Sequence, residues 1–532
     1  MGAVPRRRPF FFVDRSGRCL ALDQVPAEMD SNQRLGQLGR MIRKIILPLA
    51  FACLAPPVLA VPPAQPAIQT ASVQEQVSAI LASAPQGARF GLLVIDEDGD
   101  EIVAVNPDQR FIPASTTKLF TTATAYALLP GMDQPDQAGG AQVWLEASQH
   151  RKSAANVVIY GRGDARMSSA ADCKVNCLAA LADAVAGATR TVHDVIGDDT
   201  LWSDQRWVPG MSWNNIGTDS GTAVSALNLD DNELRIAVSA GLLGQAPVVQ
   251  IPPYFGLRNE AVTGAPGSKT ELFVERAVNG TELRLYGTIA ADAPPWSDRL
   301  GIDDPAHYAA WTLRNMLLAR GVKVGGQVRV RHRPPGLADQ PDSGANLSGP
   351  ASTTPSPLAS LVPPPLAEDV ATINKVSQNL HAQALFRRIG APVPSEQWSS
   401  KLQRKILEQA GIPPTGFEFS DGSGMSTYNR ISPRAAVALL RWAKGQPWGK
   451  EWLASFPIAG RDGTLKRRFV GTPLEGNLAA KTGTLNATNA LVGSFAARNG
   501  QRLYFAFYAN DVPAGTSALP IMEAVLLRIA AN

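Results

Sequence analysis

Short apolar runs broken by turn residues mark both ends of the chain. Residues 90–95 read as an apolar strand, Asp98-Gly99 as a turn and residues 101–105 as a second strand, the pattern of a hairpin. After Pro113-Ala114 the pattern predicts a helix from Ser115 to about Leu129. A second hairpin is predicted over 490–497 and 502–509, joined through Asn499-Gly500. The last segment carries Ile521, Val525 and Ile529 at helical spacing; with Arg528 as its one cation, it predicts a helix packed on a sheet rather than on a membrane surface. Between these ends, residues 145–335 alternate short strands, Gly-rich turns and acidic loops, as in Val157-Val158-Ile159-Tyr160-Gly161. A stretch rich in Pro, Ser, Ala and Gly (336–366) reads as a linker or surface loop, and a helix is predicted over 373–385. The ends, 73–144 and 367–532, are thus set apart from a middle of different character.

Composition narrows the class. A chain of 532 residues exceeds one hydrophobic core, and 45% apolar with 18% charged residues is ordinary for a globular protein. The net charge of +4 shows no basic stripe and gives no reason to expect a nucleic-acid partner. Met41-Ile42-Arg43-Lys44 begins an apolar run that ends Val58-Leu59-Ala60, with small residues where signal peptidase cuts. Residues 41–60 are thus expected to be an export signal cleaved after Ala60. Pro48, Pro56 and Pro57 would break a core helix, and the run is too short for a stable membrane span. Residues 1–40 resemble no secretory start: either they are an upstream extension before an initiator at Met41, the favoured reading, or the signal carries an unusually long leader; 61–72 reads as a tether. The expected location is the periplasm. Cys19 and Cys53 fall in the segments expected to be removed, leaving Cys173 and Cys177. Export permits a disulfide between them, whereas two cysteines without a nearby His pair are too few for zinc. Neither metal nor cofactor is expected.

Ser115-Thr116-Thr117-Lys118 is the only Ser-x-x-Lys in the chain. Three apart on a helix, the two side chains share a face, and a lysine partly neutral through burial can take the serine proton. Alone, the pattern also fits a serine cap beside an exposed lysine. Ser377-Gln378-Asn379 offers a hydroxyl to relay a proton and an amide to hold a carbonyl, although Ser212-Trp213-Asn214 has the same form. Lys481-Thr482-Gly483-Thr484 follows an apolar run and reads as an edge strand with cation and hydroxyls available for a carboxylate.

Together and in this order, the three motifs resemble the active-site triplet of penicillin-binding proteins and serine β-lactamases. About 260 residues separate Lys118 from Ser377, more than a class A β-lactamase allows. The chain is similar to the D-alanyl-D-alanine carboxypeptidase/endopeptidase family of low-molecular-mass class C penicillin-binding proteins, which inserts two domains between the first and second motifs. The likeness extends to Gly161-Arg162-Gly163-Asp164, Pro209-Gly210 with Trp213, Ser225-Ala226-Leu227-Asn228, Asp421-Gly422-Ser423-Gly424-Met425-Ser426 and Gly460-Arg461-Asp462-Gly463-Thr464-Leu465.

The resemblance implies an α/β (α+β) fold: a transpeptidase-like core, with an antiparallel sheet between helical layers, plus two inserted mostly-β domains. It implies Ser115 as nucleophile, Lys118 as base and Ser377 as proton relay. Asn379 would hold the substrate amide, and Lys481, Thr482 and Thr484 the terminal carboxylate beside Gly483, with the N–H groups of Ser115 and Thr484 as oxyanion hole. The implied partners are peptidoglycan stem peptides ending in D-Ala-D-Ala, or cross-linked, and β-lactams. Arg162 replaces the usual Gly and Ala165 a frequent Pro. Asn214 and Asn215 stand where relatives often carry an acid that helps bind a diamino-acid amine, so strong side-chain selectivity is not expected. The loop from Asp421 reads as architecture. Two rival readings are a β-lactamase, for which no dedicated water-activating base is found, and a non-catalytic cell-wall binding protein, against which the complete triplet argues. A Ser-His-Asp hydrolase is disfavoured, because no His lies in a recognisable motif and no Gly-x-Ser-x-Gly occurs.

Overall fold

The hairpins from the two ends of the chain meet in one sheet. Strand Arg89–Ile95 pairs antiparallel with Glu101–Val105 on one side and with Arg502–Asn510 on the other. Thr488–Ala496 and then Ala479–Leu485 extend the sheet to five antiparallel strands, with Ala479–Leu485 at its edge. The protein is described by a computed structural model, which covers residues 71–148, 154–342, 356–390 and 395–532. The expected upstream extension (1–40), the export signal (41–60) and nearly all of the tether (61–72) lie outside the described residues, as do Cys19 and Cys53.

Helices cover both faces of the sheet, which is why its first strand is almost continuously apolar instead of alternating. Leu93 and Ile95 enter a core shared with helices Thr117–Leu128, Leu366–Lys375, Asn379–Ile389 and Pro433–Lys444. Phe90, Leu92 and Val94 face helices Val73–Ala82 and Leu519–Ala530. Each buried aliphatic side chain contributes roughly 1.5–3 kcal/mol to this layering. Val525 and Ile529 are fully buried on the second face, so the final helix packs on the sheet as its spacing predicts.

The middle of the chain builds separate layers. A six-stranded mixed sheet includes Gln142–Glu146, Ala155–Tyr160, Thr191–Ser203 and Val328–Arg333. Helices Leu178–Ala188 and Pro305–Ala319 join the same core through Leu181, Val185, Leu313 and Leu317. The strand-and-turn pattern predicts neither helix, yet the second carries a readable start. Asp304 accepts a hydrogen bond from the His307 N–H, and Pro305 occupies the first turn. Smaller sheets, including Glu233–Ser239 with Trp296–Gly301, enclose a core of Ile236, Val238, Leu283, Leu285 and Ile289.

The division drawn at 144/145 falls inside strand Gln142–Glu146, and Ala359–Ser360, from the stretch read as a linker, pairs with that strand. Two residues at a sheet edge suffice for such pairing, which Pro-rich composition hides. Cys173 and Cys177 are bonded to each other, which takes both thiolates out of reach of a metal. Among the described residues, no helix is long and apolar enough to cross a membrane.

Candidate active site

A tight turn, Ala114–Thr116, leads into helix Thr117–Leu128, so Ser115 precedes the α-helix proper rather than occupying its first turn. Ala114 holds a left-handed φ of 48°, a conformation costing roughly 1–2 kcal/mol for a non-glycine residue. Two glycines brace this turn. A Cβ on Gly424 would meet the Ala114 carbonyl oxygen at 2.0 Å, and one on Gly483 would lie 2.6 Å from the Pro113 carbonyl oxygen. We therefore expect Gly424→Ala to displace Ser115 and lower the rate of Ser115 acylation by about a hundredfold. Stopped-flow acylation with a fluorescent penicillin, alongside thermal melting, checks that the loss exceeds any fall in stability.

Lys118 is fully buried, and its Nζ lies 3.1 Å from Ser115 Oγ. The same nitrogen donates to Asn379 Oδ1 and to the Ser423 carbonyl oxygen, each at 2.6 Å. Burial lowers the Lys118 pKa to about 7, against the opposing charge of Asp421. The two carbonyl-type oxygens can only accept. A neutral amine therefore spends its two N–H bonds on them and turns its lone pair toward the Ser115 hydroxyl.

The helix predicted over 373–385 is in fact two. Leu366–Lys375 ends, Val376 is exposed, Ser377 adopts a left-handed φ of 67°, and Gln378 caps Asn379–Ile389 by accepting from the Leu380 N–H. Ile373, Leu380 and Leu385 are all buried, so one apolar stripe runs across both helices and conceals the break. At the break Ser377 Oγ accepts a hydrogen bond from Lys481 Nζ at 2.8 Å. Asn379 bonds Lys118 through its oxygen and donates through Nδ2 to the Ser220 carbonyl.

Lys481 is fully buried in the edge strand and also donates to the Thr482 carbonyl. Burial, then the charge of Lys118, holds its pKa well below the usual lysine range. The Ala480 N–H points away from the sheet, to the Pro457 carbonyl. Strand alternation therefore turns the N–H groups of Thr482 and Thr484 to the same open side, while Thr482 Oγ1 donates to Thr464 Oγ1 at 2.7 Å. The structure thus gathers these residues as two hydrogen-bonded groups, Ser115 with Lys118 and Asn379, and Ser377 with Lys481, linked by the chain from Ser377 to Asn379 and flanked by Thr482, Gly483 and Thr484.

The loop read as architecture takes part in the cluster. Asp421, fully buried, accepts from the N–H groups of Gly424, Met425 and Ser426, from Ser423 Oγ and from Asn429 Nδ2. This folds the loop so that the Ser423 carbonyl meets Lys118. An acid followed by Gly-Ser-Gly is the signal for such a carboxylate-organised turn. In the inserted region Asn228 donates to the Asp164 carbonyl, and a Cβ on Gly161 would meet the Ala226 carbonyl at 2.3 Å, so two of the matched motifs brace each other.

Residues 73–532 match the D-Ala-D-Ala carboxypeptidase 3 (S13) family. A D-alanyl-D-alanine carboxypeptidase from Actinomadura sp. is 30% identical over 494 residues, 88% of this chain and 87% of the relative. One from Haemophilus influenzae is 22% identical, over 84% of this chain and 91% of the relative. The fold is similar to the crystal structure of penicillin-binding protein 4 from Haemophilus influenzae, with a TM-score of 0.70, 21% identity and coverage of 85% and 97% of the two chains. With the family matched from the first described helix to the final residue, the chain belongs to the D-Ala-D-Ala carboxypeptidase 3 (S13) family, the low-molecular-mass class C penicillin-binding proteins.

Proposed function

We propose that this serine-type D-Ala-D-Ala carboxypeptidase works through Ser115 on peptidoglycan stem peptides, with endopeptidase action on cross-links, and that β-lactams acylate the same serine. The observation that carries this reading is the position of Lys118. Its Nζ lies within reach of Ser115 Oγ while two carbonyl-type oxygens hold its remaining protons. Lys118 takes the Ser115 proton as Oγ attacks the carbonyl of the penultimate D-alanine. The N–H groups of Ser115 and Thr484 receive the oxyanion, and Lys481 with the Thr482 and Thr484 hydroxyls receives the terminal carboxylate. Ser377 passes a proton to the leaving amine, the terminal residue departs, and water hydrolyses the acyl-enzyme to regenerate Ser115.

Asn379 holds the substrate amide by exchanging its present bond to the Ser220 carbonyl for one to the peptide. The expected signal at 41–60 places the mature enzyme in the periplasm, where this polymer lies. Digestion of purified peptidoglycan followed by mass spectrometry checks the reading. Release of D-alanine from pentapeptide stems and of monomers from cross-linked dimers is expected. Rapid repeated turnover of a penicillin without either product would mark a β-lactamase instead.

A further inference from the structure

The groove at Ser377 and Asn379 continues into the inserted region. A cavity of about 160 Å³ there is lined by both residues together with Glu233 and Arg299. Glu233 and Arg299, paired at 3.1 Å, also line a larger cavity of about 490 Å³ with Arg166, Asp231, Arg235 and Tyr308. The ion pair is therefore a shared wall between the catalytic groove and a second chamber.

Two features of that chamber cost stability. In the antiparallel pairing of Glu233–Ser239 with Trp296–Gly301, Arg235 stands directly opposite Arg299, so two cations share one face of the sheet. Arg299 is balanced by Glu233 and, at 3.9 Å, by Asp219. Arg235 is exposed and has no ion-pair partner within 4 Å among the described residues, the Asp231 carboxylate acting on it only at longer range. Asp230, Asp231 and Asn232 all adopt left-handed φ, at 51°, 57° and 54°. Strain of this kind gathers where a site must be shaped. The acids of that turn are already engaged, Asp230 with Ser169 and Asp231 with His381 on the helix that begins at Asn379. Arg235 is the group left to meet a ligand, and Arg299 beside it adds a second guanidinium edge.

On the reading that this enzyme acts on stem peptides, we propose that this chamber is a substrate subsite in which Arg235 and Arg299 bind a peptide carboxylate lying beyond the scissile D-Ala-D-Ala unit. Guanidinium pairs with carboxylate in two-pronged geometry. The carboxylate belongs either to the same stem or to the second stem of a cross-link.

Steady-state hydrolysis of a stem pentapeptide, its side-carboxyl-amidated analogue and a cross-linked dimer by wild type, Arg235→Ala and Arg235→Lys tests this. For Arg235→Ala we expect kcat/KM on the carboxylate substrate to fall by about tenfold through KM, with kcat retained. The amidated analogue should be hydrolysed equally well by wild type and variant, and Arg235→Lys should recover part of the loss. A loss confined to the dimer assigns the carboxylate to the second stem, and a loss already present in the linear peptide assigns it to the first. Acylation of Ser115 by a penicillin, too small to span both cavities, should be the same in all three proteins. Unchanged kcat/KM in Arg235→Ala, or an equal loss on the amidated analogue, overturns the subsite. A wild type that is not acylated by penicillin removes the catalytic reading, and the subsite with it.

Discussion

Ser115→Ala is expected to leave a folded protein that forms no covalent adduct with penicillin and releases D-alanine at least about a thousandfold more slowly than wild type. Ser115 lies at a turn held by backbone and glycine contacts, and among the described residues its hydroxyl hydrogen-bonds only Lys118, so its removal costs the fold little. The Lys118 amine keeps its bonds to Asn379 and Ser423 in the variant. Intact-protein mass spectrometry after incubation with benzylpenicillin reads the outcome directly. An adduct of unchanged yield would move the nucleophile elsewhere, with Ser377 the next hydroxyl in the cluster.

The second large effect is expected at Lys118. Lys118→Met fills the same volume without a base, and a positioned base contributes about 10²- to 10⁴-fold. The sign of the pH dependence follows from the direction of the shift. Burial lowers the pKa to about 7, so the neutral, proton-accepting amine predominates above that pH and the ammonium below it. Wild-type acylation rates should rise with pH through about 7 and then level off. In Lys118→Met the rate should drop and this limb should vanish. Lys481 has its own lowered pKa and bonds Ser377, so a limb that survives in Lys118→Met would name Lys481 as the base.

Much of this site was legible in the sequence because it is written in local motifs. Ser115, Lys118, Ser377, Asn379 and Lys481 each lie in a stretch of three or four residues, and their order carries the information that no single stretch does. The central hairpins and the final helix were legible for a different reason: apolar periodicity reports burial. What escaped was set by backbone geometry. The left-handed Ser377 breaks a helix whose apolar stripe continues on the other side, so periodicity cannot see the break. Asp421 acts through N–H groups of its own loop, and a hydrogen bond from backbone to carboxylate has no period to detect. The strand Ala359–Ser360 is invisible because two residues of a Pro-rich stretch are enough to form it.

The five-stranded sheet has a consequence for when the enzyme comes alive. Its first strand, Arg89–Ile95, finds its inner neighbour in Arg502–Asn510, so the pairing that completes the core joins segments more than about 400 residues apart. Loop-closure entropy delays such pairing, and the neighbour is made long after the first strand. Ser115 stands behind the first of these strands, and Lys481 lies in a strand that pairs through Thr488–Ala496 to the last. Ser115 and the strand that carries Lys481 therefore have no common scaffold until the first strand and Arg502–Asn510 have both been made. The enzyme stays silent until that distant strand has been made.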